Sequence, residues 1–293
     1  MRYSLCLSYD GSAFCGWQIQ PNAPSVQASL EATLSRLLGR PVAVTGAGRT
    51  DTAVNAVNYI AHFDTDSPLP FGQSDLCYKL NAMLPRSVVV HSVVPAAEDF
   101  HARFSARRRE YTYFIHRQKD PFVAPWSWQC GYPDLDFDAM NAACPYLMGT
   151  HDFSCFEKTG GANKTSLCTI TEAFWKPYVP THVSVFEGAL PPIIPRGSRP
   201  ISPADPASAG RSDERLVPSN TVPSGGDPPY WYFRVSADRF LRNMVRAIVG
   251  TLIEVGRGKH DPAWVKELIE TGSRGDAGES VPGHALFLSK VRY

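Results

Sequence analysis

Val42-Ala43-Val44-Thr45-Gly46-Ala47-Gly48-Arg49-Thr50-Asp51-Thr52-Ala53-Val54 places a guanidinium and a carboxylate two residues apart, where an apolar run ends in a glycine-hinged turn. A local explanation exists: Thr50 or Asp51 caps a short helix and Arg49 pairs with it. The flanking periodicities set the turn in a fold. Before it, Tyr3, Leu5, Leu7 and Tyr9 alternate with Ser4, Cys6 and Ser8, the period of a strand with one buried face. A loop through Gly11 and Gly16 follows. Ser25 then caps a predicted helix with apolar Val26, Leu30, Leu34, Leu37 and Leu38, stopped by Gly39. Val42 to Thr45 reads as a strand leading into the turn, and Asn58 to Asp64 as the strand leaving it. A helix from Asp75 to Leu84 stops at Pro85, and Val88 to Val94 is a further strand. Strand, helix, strand, strand, helix, strand is a split βαβ pattern, which predicts an α+β class.

The second half repeats the alternation. Arg109 to Arg117 predicts a strand, Asp138 to Met148 a helix, Leu167 to Tyr178, Val183 to Phe186 and Tyr230 to Val235 strands, and Leu241 to Val255 a helix stopped by Gly256. Asp261-Pro262 starts one more helix, with Asp as cap and Pro at the first position. Residues 188–229 differ in kind. Ten of the chain's 25 prolines fall there, with no aromatic between Phe186 and Tyr230, so the segment buries too little to offset chain entropy and is predicted to be a disordered Pro-rich insertion. The boundaries expected are an N-terminal half over 1–107 and a C-terminal half over 108–293.

At 293 residues and 43% hydrophobic, the chain has room for two domains. The formal net charge is only +1, so a phosphate-binding surface must come from clustering. Arg103, Arg107, Arg108 and Arg109 form one cluster, and Arg234, Arg239, Arg242 and Arg246 another. Seven cysteines without a CxxC pair or zinc-type spacing predict small buried thiols, no disulfide frame and no metal. No apolar stretch approaches membrane-spanning length and no signal-peptide pattern opens the chain, so no membrane association and a cytoplasmic location are expected.

Several separated blocks, in order, carry a resemblance. They are Tyr9-Asp10-Gly11, Gly16-Trp17-Gln18, Ser25-Val26-Gln27, Gly46 to Asp51 with Ala61-His62-Phe63, Asn81 with Leu84-Pro85, Asp99 to Ala106 with Arg109 and Tyr111-Thr112-Tyr113, His151-Asp152-Phe153, and Phe240 to Arg246 with Val249-Gly250 and Val255-Gly256. The chain resembles the TruA-type tRNA pseudouridine synthases over nearly its whole length except about 188–229.

The resemblance implies two related split-βαβ halves forming an extended, mostly antiparallel sheet, with helices on one side and a central basic cleft. It implies isomerisation of uridine to pseudouridine in the tRNA anticodon stem-loop, at positions 38, 39 and 40, without a cofactor, by a homodimer. Asp51 is implied as the catalytic carboxylate at C1′, acting as nucleophile or by taking the 2′ proton; the residues leave that choice open. Gly46 and Gly48 would let the backbone approach a nucleotide. Tyr111 is implied to lie against the flipped base, with Tyr113 in support. Arg49 would fill the gap left by the base or hold a phosphate. Arg246 would pair with Asp51 and keep it ionised. Arg107, Arg108 and Arg242 are weaker expected contacts to the RNA backbone. His62 reads as structural. Where the family commonly has Ala-Gly-Val-His after the Asp, this chain has Thr52-Ala53-Val54-Asn55, a change in the loop that follows the carboxylate. The alternative reading is a non-catalytic tRNA-binding or RNA-folding protein. A nucleotide-binding loop is disfavoured because no third glycine and no Walker-type run are present.

Overall fold

The computed structural model describes residues 1–158, 160, 165–185 and 228–293. The predicted insertion at 188–229 lies, except for its last two residues, outside them. The strands are β1 (Arg2–Tyr9), β2 (Val44–Gly46), β3 (Asn55–Asp64), β4 (Val88–Ala96), β5 (Arg108–His116), β6 (Trp128–Gln129), β7 (Gly149–Asp152), β8 (Leu167–Pro177), β9 (Tyr230–Ala237) and β10 (Leu286–Arg292). The helices are α1 (Val26–Leu38), α2 (Gln73–Met83), α3 (Phe137–Ala143), α4 (Thr181–Val185), α5 (Met244–Gly256) and α6 (Trp264–Thr271).

All ten strands join one sheet in the order β4-β1-β3-β10-β5-β9-β8-β7, with β2 beside β3 and β6 beside β5. Among the described residues, only the pairs β10–β3 and β5–β6 are parallel. Two apolar cores form on one face. The first buries Leu5, Leu7, Tyr59 and Phe63 under Leu30 and Leu34 of α1 and Leu76 and Leu80 of α2. The second buries Tyr113, Ile115, Phe233 and Val235 under α3 and α5. Tyr111 packs against both.

Local signals explain most elements. The Ser25 hydroxyl accepts the Ala28 amide at the start of α1, and Gly39 ends it in the left-handed conformation. Other expectations need correction. The segment at Val183 is helical, not extended, because the Pro180 carbonyl accepts the amides of both Val183 and Ser184. The helix expected to reach Met148 ends at Ala143 and passes into a 3₁₀ turn over Cys144–Leu147, which contains Pro145. α5 starts at Met244 because Asn243 is left-handed, with φ 64°. α6 starts at Trp264, after a turn in which Asp261 accepts the Ala263 amide. Cys6, Cys15 and Cys77 are half-buried rather than buried.

β10 was not anticipated. It slots between β3 and β5, pairing Leu288 with Ala56 on one side and with Tyr111 on the other, and so joins the two groups of strands. β3 therefore shares one edge between two neighbours. Its Ala61–Phe63 end pairs with β2 and its Asn55–Ala56 end with β10. The Ala47–Val54 loop spans the interval between them.

Candidate active site

The loop is held from below. Ala47 N–H donates to the Ile60 carbonyl, the Thr50 carbonyl accepts from Trp17 N–H, and Ala53 N–H donates to the Phe14 carbonyl. Tyr9 Oη lies 2.9 Å from Thr50 Oγ1, and the Tyr59 hydroxyl donates to the Gly48 carbonyl. Gly46 has a different reason for being glycine from the one expected. A Cβ there would sit 2.2 Å from Tyr59 Oη and 2.5 Å from Trp17, so the chain's own stacked rings already require glycine at this position. Gly48 faces open space, with Arg109 Nε the nearest atom at 3.9 Å from a hypothetical Cβ.

Asp51 caps no helix and does not pair with Arg49. Its carbonyl accepts from Val54 N–H, and its carboxylate Oδ2 lies 3.8 Å from Arg246 Nη1. The two side chains are 33% and 22% exposed, so the ion pair is open to the cleft. That separation is electrostatic contact beyond good hydrogen-bond range. Arg246 sits in the first turn of α5, and its Nε donates to the Val281 carbonyl at 2.6 Å. The same segment takes the Tyr113 hydroxyl at the Pro282 carbonyl, 3.0 Å away. Tyr113 is fully buried; burial raises its hydroxyl's pKa, and the Arg246 charge opposes that rise. Tyr111, two residues earlier on the same face of β5, is half-buried, edge-on to Phe240 at 5.0 Å. Burial pushes its hydroxyl up to about 12, with Arg109 opposing and the Asp51 charge adding, so it remains a neutral phenol at physiological pH.

The residues after Asp51 compensate for their departure from the family pattern. Ala53 adopts a left-handed φ of 63° in place of the expected glycine. Asn55 is buried; its Oδ1 accepts from Gly11 N–H at 2.8 Å and its Nδ2 donates to the His284 carbonyl at 2.7 Å, tying β3 to chain segments on either side.

The expected cation set is split in space. Asp51 lies beside Arg246 and near Tyr111, while Arg49 lines an open cavity with Trp17, Gln18 and Arg103. Arg107 is exposed just before β5. Strand alternation points Arg108 to the opposite face of the sheet from Tyr111, where it pairs with Glu172 at 3.6 Å. Arg234 is on that face too, 3.8 Å from Glu110. Arg242 lies at the start of the α5 approach, its carbonyl accepting the Lys158 amide. His62 is structural as expected: its Nδ1 accepts the Ala102 amide at 3.1 Å, and burial lowers its pKa to about 4, with Arg2 and His101 adding.

Arg109 was not anticipated as part of the site. Its Nη2 donates to the Ala47 carbonyl at 2.9 Å and the Arg103 carbonyl at 2.7 Å, and Nη1 to the Asp238 carbonyl at 2.9 Å. One guanidinium thereby clasps the Ala47–Val54 loop, the segment before β5 and the end of β9. The signal available was its placement two residues before Tyr111, on the same side of a strand. Among the described residues, no three His, Cys, Asp or Glu side chains converge as metal ligands would, and no helix is long and apolar enough to cross a membrane.

A family model described as tRNA pseudouridine synthase matches residues 143–293. Over its full length the chain is similar to proteins named tRNA pseudouridine synthase A. It is 40% identical to that of Parabacteroides distasonis, covering 100% of this chain and 96% of the relative. The figures are 38% with 100% and 97% for Porphyromonas gingivalis, and 38% with 100% and 90% for Bacteroides thetaiotaomicron. The family model alone does not reach the loop that carries Asp51, but these relatives span both it and the cleft. The chain belongs to the tRNA pseudouridine synthase family, whose members are isomerases.

Proposed function

We propose that this protein converts uridine to pseudouridine in the anticodon stem-loop of tRNA, at positions 38, 39 and 40, with Asp51 as the catalytic carboxylate. The observation that carries this reading is the Asp51–Arg246 pair, 3.8 Å apart and partly open, with Tyr111 beside it at the junction of the two strand groups. The reaction breaks the N1–C1′ bond and joins C5 to C1′. N1 gains a proton and C5 loses one, so the product is an isomer and no co-reactant is consumed. A carboxylate at C1′ serves it either as the attacking group or by removing the 2′ proton. Arg246, bonded to the Val281 carbonyl, orients that carboxylate. Tyr111, a neutral phenol with an exposed part to its ring, is the contact surface for the flipped base, whose unstacking costs a few kcal/mol. Arg49 reaches the place vacated by the base or its phosphate. Arg107 and Arg242 hold RNA backbone.

A cytoplasmic homodimer belongs to the same proposal and rests on the family resemblance; sedimentation of the free protein tests the dimer. The central experiment is Asp51→Asn, which keeps volume and removes charge. The variant is expected to fold and bind tRNA without forming pseudouridine. Turnover near the wild-type rate would sink the mechanism, and tRNA binding by the wild type with no product would favour the non-catalytic alternative.

A further inference from the structure

Three guanidinium groups gather around Gly48. Arg49 and Arg103 line an open cavity of about 170 Å³ together with Trp17, Gln18 and Gln27, and Arg109 lies beneath Gly48. Among the described residues, no carboxylate pairs with any of the three. Arg109 spends its donors on carbonyl oxygens, and burial lowers its pKa. Arg49 and Arg103 have no hydrogen-bond or ion-pair partner for their guanidinium groups among the described residues. Arg49 and Arg103 are exposed, so their donors are free to meet an anion from outside the chain, and the clustered positive charge favours one.

The neighbouring side chain narrows the kind of anion. Phe104 is 75% exposed, and the Arg103 guanidinium lies 5.5 Å from its ring. A single exposed apolar residue needs no explanation. This one is unusual because its loop is held rigid. His101 Nδ1 accepts the amides of both Arg103 and Phe104, at 3.1 and 3.2 Å, and its ring lies 4.3 Å from that of Phe104. The Ser105 hydroxyl accepts the His101 amide, and the Ala102 amide goes to His62. A fixed ring beside an unpaired guanidinium, at the mouth of a cationic cavity, complements a base and its phosphate together. Arg49, on the cavity wall, is two residues from Asp51, at most about 7 Å along the chain, which is within a nucleotide or two of the target.

We propose that Arg103 and Phe104 form a binding subsite for a nucleotide flanking the target uridine, with the guanidinium on its phosphodiester and the ring against its base. The subsite deepens the tRNA-modifying reading and rests on it.

The test uses the full chain and an unmodified tRNA transcript with uridine in the anticodon stem-loop. Phe104→Ala and Arg103→Gln are each expected to raise Kd and KM for tRNA about tenfold, with kcat within about twofold of wild type and melting temperature unchanged. Arg103→Gln should also make the salt dependence of log K shallower by about one unit, which Phe104→Ala should not. Phe104→Trp should retain affinity and lose part of its added indole fluorescence on tRNA addition. Kd and KM unchanged in both variants, or a fall in kcat with Kd unchanged, would overturn the proposal; the second result would assign the loop to supporting the catalytic turn. Because Kd and the Trp signal need no turnover, failure of the wild type to form pseudouridine would sink the function while leaving the subsite measurable.

Discussion

Ala53 bears a conformational cost that a glycine would not. A left-handed L-residue is disfavoured by roughly 1–2 kcal/mol, and its φ of 63° is held by the hydrogen bond that the Ala53 N–H donates to the Phe14 carbonyl. Ala53→Gly relieves that cost but loosens the unfolded chain, so a net gain of up to about 1 kcal/mol is expected, read as a higher urea midpoint at constant slope. A lower midpoint would mean that the turn does not depend on the left-handed residue. Tyr111 makes a second prediction at this scale. Tyr111→Phe keeps the ring and its edge contact with Phe240, so kcat/KM should stay within several-fold of wild type. Tyr111→Ala should forfeit about 1–3 kcal/mol of base–aromatic contact, roughly five- to 150-fold in kcat/KM. Equal behaviour of the two variants would make Tyr111 an ordinary strand residue.

β3 reaches the 101–105 loop through His62, and this contact responds to acid. Its pKa is about 4 in the folded protein against 6.5 in an exposed imidazole, so the unfolded chain binds the extra proton between those values. Stability should therefore be full above pH 6.5 and fall by about 2–3 kcal/mol on descent to pH 4, as the Nδ1 acceptor for Ala102 is lost. His62→Asn, which keeps an acceptor that does not titrate, should flatten this part of the urea-midpoint profile against pH; an unchanged profile would place the acid sensitivity elsewhere. Elements with a strong period and local caps, such as β1 and α1, were legible in the sequence because one face of each is buried and Ser25 and Gly39 mark the ends. α4 was not, since β-branched Val183 and Val185 favour a strand while Pro180 organises a helical turn. β10 does alternate, with Leu286 and Leu288 inward, but what makes it central is pairing with strands far away in the chain, which no local pattern reports. The site divides similarly. The spacing of Arg49 and Asp51 and the Arg109/Tyr111 parity were visible, whereas Arg107 and Arg108, neighbours in sequence, were read as one surface although adjacent strand residues point to opposite faces.

Across the whole molecule the net charge is +1, so tRNA affinity rests on local arginines rather than a general field. Binding should weaken with salt. Arg107→Gln should make the log K slope shallower by about one unit, while Arg108→Gln, paired with Glu172 on the far face, should leave it unchanged. A slope that responds to Arg108 instead would put the RNA on the other side of the sheet. The sheet's order also governs how the protein is made. During synthesis the Asn55–Ala56 edge of β3 waits for β10, which emerges roughly 220 residues after Asp64. At ordinary elongation rates that is about 10–45 s in which the nascent chain carries an unsealed strand edge beside the loop that carries Asp51. The seam between the two groups of strands is thus the last part of the sheet to close, when β10 enters between β3 and β5.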